Sequence, residues 1–175
     1  MIRNVLTLFK TFVEIILLRK GPDDIPHSSL LFVMVAAIWL LVGIVAVMVV
    51  ESYQSPSLLI DLILAFVGLG IYAIVVNLFG KGARLIRCFT TILGCSIVFS
   101  ILQFGGRLAF PVLLGEVEVD WALLLIWLWS VPVEGHIIAR TIERQWILGF
   151  LVAIAVLFVQ LNLLAVLKPM LGPVA

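Results

Sequence analysis

The sequence predicts an all-α, polytopic transmembrane helix bundle of five spans with an N-terminal amphipathic interfacial helix, and two observations carry that expectation. Of the 175 residues, 64% are hydrophobic and 12% are charged, with a mean hydropathy of +1.31, whereas soluble domains keep apolar residues to roughly half. The apolar residues also gather into stretches of about twenty with few charges, the length at which a helix crosses the hydrocarbon layer. A net charge of +1 offers no basic face for nucleic acid, and no hydrophilic run is long enough to form a separate soluble domain.

Over residues 1–20, Arg3, Asn4, Thr7, Lys10, Thr11 and Glu14 project into one arc of about 120°, with Phe9 and Phe12 opposite. Such an arc predicts a helix lying in the headgroup interface, with packing on the protein's own loops as the alternative. Glu14 interrupts what would otherwise be a signal-peptide core and no small-residue cleavage site comes after it, so the segment is expected to stay in the mature chain. Gly21 and Pro22 then break the helix, and Ser28 or Ser29 can cap the next one.

The bundle is expected over 28–168, with spans at about 30–50, 58–79, 85–110, 121–142 and 146–167. The first span is uncharged, with His27 at its edge as an interfacial residue. After the turn 51–57, the second carries Asp61 near its start, Tyr72 near its middle and Asn77 near its end. In the third, Ser96, Ser100, Gln103 and Arg107 recur in a stripe about 60° wide that should face protein, either as a packing surface or as hydrogen-bonding groups. Pro111 and an acidic turn at 115–120 lead to the fourth span. In the fifth, Gly149 and Ala153 form a small-xxx-small contact, while Gln160 and Asn162 fall on opposite faces and read as scattered hydrogen bonding.

The fourth span holds the main functional candidate, because hydrocarbon cannot solvate an ionisable group and some partner must. Ser130, Glu134 and Thr141 share one face with Trp127, whereas His136, Arg140 and Glu143 share another about 160° away. Counted by depth, Glu134 lies level with Ser96 and Tyr72, so Glu134, Ser96, Ser100, Tyr72 and Gln103 form the expected intramembrane polar cluster. Pro132 should weaken or kink the helix just before Glu134 and free backbone carbonyls, a common construction at transporter sites. Glu134 then either fixes helix register as a neutral hydrogen-bonded carboxyl or carries a proton. Asp61 and Arg107, both about 11 to 13 Å outward of their span centres, are expected to form an ion pair across adjacent helices. His136, Arg140 and Glu143 are expected as a snorkelling cluster at the cytoplasmic end.

No GxSxG, HExxH or P-loop motif occurs, so no catalytic residue is assigned and the protein is not expected to be an enzyme. Cys88 and Cys95 lie about 10 Å apart along one helix, too far for a disulfide, and are expected to be reduced and buried. Without a CxxC or a His/Cys cluster, neither metal nor cofactor is expected.

Orientation comes from the basic residues. Arg3, Lys10, Arg19, Lys20, Lys81, Arg84, Arg87, Arg140 and Arg144, nine of the eleven Lys and Arg, fall on one side, and only Arg107 and Lys168 on the other. The positive-inside rule then predicts a cytoplasmic N-terminus and a periplasmic C-terminus.

This five-span layout resembles the Yip1-like family of small polytopic membrane proteins, and LLRKGPDDIPHSSLLF at residues 17–32 is similar to the start of inner-membrane proteins of Gram-negative bacteria. The Asp-Leu-Tyr-Gly-Pro type motif of the eukaryotic Yip1 members is absent, so no functional residue carries over. The resemblance implies an adaptor or membrane-organising role in a bacterial inner membrane. Two functions stand as expectations. One is a non-enzymatic scaffold or accessory subunit that contacts lipids and other membrane proteins or copies of itself. The other is a small proton-linked transporter or channel using Glu134, which alone of the two needs a hydrated path to that carboxyl from both sides.

Overall fold

The structure, a computed structural model, describes residues 2–50, 58–114 and 116–171. The expected turn 51–57 and Gly115 lie outside the described residues. Those residues form helices α1 (Ile2–Ile16), α2 (Ser29–Val50), α3 (Leu58–Leu78), α4 (Leu85–Leu114), α5 (Glu116–Ile142) and α6 (Trp146–Leu171), with no strand among them. Helices α2 to α6 are each long and apolar enough to cross a membrane, so the chain is built as a multi-pass integral membrane protein. Residues 116–120, expected as a turn, are helical instead.

Helix α5 is central, with α4 on one side and α6 on the other; α3 leans mainly on α6, and α2 covers the outer side of α4. Successive crossings alternate in direction, which puts the ends of α3 and α5 beside the starts of α2, α4 and α6. This end, termed the near end, carries the dense core: Ile15, Val76, Cys88, Val133, Ile137 and Ile138 are essentially inaccessible. Leu30, Leu41, Phe66, Ile74, Leu151 and Phe158 point outward. An apolar surface of that extent suits hydrocarbon and not water.

The C-terminal half of α1 is packed into the bundle. Phe12, Ile15 and Ile16 are buried, and the Phe12 ring fills the space that a side chain at Gly94 would need. Its late carbonyls, orphaned at the helix end, take donors from α5. Trp129 Nε1 donates to the Ile16 carbonyl at 3.1 Å, and His136 Nε2 lies 2.9 Å from the Lys20 carbonyl. A carbonyl only accepts, so that imidazole nitrogen carries the hydrogen. Leu6 and Phe9 stay exposed, so only part of the apolar face expected to meet lipid does so. Ser28 caps α2 by accepting from the Leu31 N–H at 3.3 Å.

Three helices end alike, with a left-handed residue and paired backward hydrogen bonds. These residues are Leu18 after α1 (φ 59), Gly80 after α3 (φ 70) and Glu143 after α5 (φ 54). For α5, Glu143 N donates to Arg140 O at 3.3 Å and Arg144 N to Ala139 O at 3.0 Å, the Schellman arrangement. The left-handed turn swings Glu143 off the α5 face. His136, Arg140 and Glu143 therefore do not form the mutual cluster that helical spacing predicts. His136 serves Lys20, the Arg140 stem lies against Gly21, and Glu143 ion-pairs with both Lys81 and Arg84 of the α3–α4 turn. Arg84 also reaches Asp23 at 3.8 Å, and Arg144 lies over the Phe79 ring. The near end is thus laced shut by charge.

Hydrogen bonds from Lys81 and Arg84 hold the Glu143 carboxyl below its ordinary value of 4.5. A carboxyl depressed on folding stabilises the protein above its unfolded pKa, and that contribution disappears as pH falls through the folded value. Glu143→Ala is therefore expected to lower the midpoint of thermal unfolding at neutral pH, and the gap to wild type should close well below pH 4.5. A gap that is equal at both pH values would show that the ion pairs do not stabilise the fold.

Candidate functional site

Between α3, α4, α5 and α6, toward the far end, lies a cavity of about 400 Å³. Its walls include Asp61 of α3, Ser96, Ser100 and Gln103 of α4, Trp127, Ser130 and Glu134 of α5, and Gln160 of α6. A smaller cavity of about 130 Å³ continues sideways to Tyr72 of α3 and Trp39 of α2, sharing Ser96, Glu134 and Gln160 with the first. On α6 the larger cavity runs from Ala153 to Leu164, which at the helix rise is about 16 Å of depth. Asp61 lies one turn from the far end of α3, whereas Glu134 lies eight residues, about 12 Å, from the near end of α5. Beyond Glu134 the buried Val133, Ile137 and Ile138 close the bundle.

Tyr72 donates its hydroxyl hydrogen to Glu134 Oε2 at 2.5 Å, and this is the one hydrogen bond that Glu134 makes among the described residues. Helix α5 runs through Pro132 without a break two residues earlier. Proline removes the N–H that would serve the Leu128 carbonyl, and nearby the Ser130 hydroxyl turns back to Trp127 O at 2.7 Å. Ser96, Ser100 and Gln103 line the cavity and make no hydrogen bond within the described protein. All three are half-buried. Their capacity is left to whatever occupies the cavity.

Asp61 and Arg107 do not form the expected ion pair: the ion pairs among the described residues are elsewhere, and Arg107 is exposed. The reason is helix order, since α3 rests on α6 and scarcely touches α4. Asp61 lies on the cavity wall instead, without a cationic partner. Gln160 reads in the sequence as scattered polarity, yet it borders both cavities and donates from Nε2 to the Leu64 carbonyl at 3.0 Å. The signal that could have found it is an amide in the middle of an apolar span. Asn162, by contrast, bonds its own helix at Phe158 O and is exposed. Cys88 and Cys95 are free and buried, and no group of three metal-ligating side chains occurs among the described residues.

No family model, no curated protein and no solved structure matches the chain.

Proposed function

We propose that the protein is a small proton-linked transporter of the bacterial inner membrane, with its N-terminus cytoplasmic, its C-terminus periplasmic and Glu134 as the proton-carrying group. One observation carries this reading: a cavity among the candidate spans ends on a carboxyl, and the Ser96 and Ser100 hydroxyls and the Gln103 amide on its wall make no hydrogen bond among the described residues. Leaving a space of this size unfilled forfeits packing, so a bundle needing only mechanical stability would gain by filling it with apolar side chains. A scaffold has no use for it. The orientation rests on the basic residues, because Lys20, Lys81, Arg84, Arg140 and Arg144 belong to the laced near end, the side that the positive-inside rule assigns to the cytoplasm. The cavity then lies on the periplasmic half and the dense core on the cytoplasmic half, an asymmetry suited to alternating exposure of a site near the midplane.

The test is proton flux into reconstituted vesicles holding a trapped pH-sensitive dye, driven by a pH gradient. Flux is read alone and then with a quaternary amine, a zwitterionic amino acid, a sugar and a carboxylate in turn. Flux that depends on the protein is expected with at least one of them. Ser100→Trp, which fills the cavity from its α4 wall, should remove that flux while leaving the protein folded. If no solute gives flux above protein-free vesicles, the transport reading is wrong.

A further inference from the structure

The cavity lining also selects a substrate class, and this deepening rests on the transport reading. We infer that the site takes a small organic monocation with an apolar body and exchanges it for the Glu134 proton. The first argument is charge. Asp61 and Glu134 border the cavity, and among the described residues no Lys, Arg or His does. An anion would meet two carboxyl groups and no counter-charge, whereas a cation entering from the far end passes Asp61 and finishes beside Glu134.

The second argument is size and shape. A bare metal ion needs several oxygen ligands converging within about 2.0 to 2.6 Å. The described residues hold no group of three or more His, Cys, Asp or Glu side chains, and a space of about 400 Å³ is far larger than an ion requires. Small ligands are held in apolar pockets with a few placed polar groups, and here Phe99, Trp127, Leu157 and Leu161 supply the apolar wall. Trp127 is also the best aromatic face for attracting a cation. Ser96, Ser100 and Gln103 remain free to bond the polar parts of a substrate or its accompanying water.

The third argument is the proton. Titratable groups around Glu134 are Tyr72 and Asp61 from α3 and Cys88 and Cys95 from α4. From α6 the neighbour is the neutral Gln160, and His136 of α5 itself is turned to Lys20. None of these supplies positive charge, so nothing on the described protein pairs with a Glu134 carboxylate. Arrival of the cation supplies the missing charge. The carboxyl O–H bond then breaks, the proton passes through cavity water to bulk solvent, and the carboxylate pairs with the cation. Net charge in the site is unchanged.

Binding of benzyltrimethylammonium to the intact protein in nanodiscs, monitored by calorimetry and by a pH dye in weak buffer, tests this. Saturable binding is expected with release of about one proton per cation, and benzenesulfonate should not bind. Glu134→Gln should remove proton release and weaken binding at least about tenfold, and Asp61→Asn, at the mouth, should weaken it several-fold. The second variant keeps the test decisive should the first fail to fold. No cation binding, or equal binding of benzenesulfonate, overturns the inference. Proton flux with the amino acid or sugar but not with the amine overturns it while leaving the transport reading intact, and cation binding without any proton flux overturns the transport reading.

Discussion

Gly149→Leu is expected to abolish recovery of folded protein. Helices α5 and α6 touch backbone to backbone at Gly135 and Gly149. A Cβ on Gly149 would come within 2.6 Å of Ala139 N, and one on Gly135 within 2.7 Å of Phe150 Cα. Main-chain atoms cannot rotate aside, so a side chain at either position has to drive the helices apart. Overpacking in a well-filled interior typically costs about 1 to 3 kcal/mol where neighbours can adjust, and here the neighbours are backbone. Separating α5 from α6 also opens the core around Val133, Ile137 and Ile138. Gly149→Ala should be intermediate, with a lowered unfolding temperature but measurable yield. Size-exclusion recovery and thermal unfolding in detergent check both, and a Gly149→Leu variant that elutes and melts like wild type would show that this contact is not what holds the pair together.

Legibility from sequence divides along a physical line. Features encoded within one helix are readable: span length and apolarity for α2 to α6, the 3.6-residue period that puts Ser96, Ser100 and Gln103 on one face, and the shared face of Trp127, Ser130 and Glu134, all found on one cavity wall or another. Depth counting places Tyr72 level with Glu134, and the two are hydrogen-bonded. Features that depend on which helices adjoin are not readable. Apolar periodicity marks a buried face without naming the neighbour, so depth alone matches Asp61 to Arg107 on α4 when its neighbour is α6. For the same reason the sequence does not connect Gln160 with Glu134, although both border the same space. Glu143 fails differently. A left-handed φ at a non-glycine residue has no local sequence signature, and it takes the side chain from the α5 face to Lys81 and Arg84. The role of α1 also depends on tertiary contact, since its amphipathic pattern suits a lipid interface and a groove beside α4 and α5 equally.

Glu134→Gln is expected to leave the fold intact and to end proton movement. The amide matches the carboxyl in shape, and its oxygen still accepts from the Tyr72 hydroxyl, so the contact between α3 and α5 survives. The cavity keeps its volume and its Ser96, Ser100 and Gln103 walls. What is lost is the ability to bind and release a proton at the closed end of the cavity, where no other carboxyl lies, Asp61 being at the mouth. Glu134→Ala would be a poorer choice, because it leaves the buried Tyr72 hydroxyl unpaired and confounds folding with transport. The deciding measurement is proton flux by wild type and Glu134→Gln in matched vesicles, at equal amounts of reconstituted protein and with the solute that gives the highest wild-type rate. A variant that unfolds like wild type yet falls to the protein-free baseline is the predicted result, and a variant that conducts protons at the wild-type rate would contradict the account.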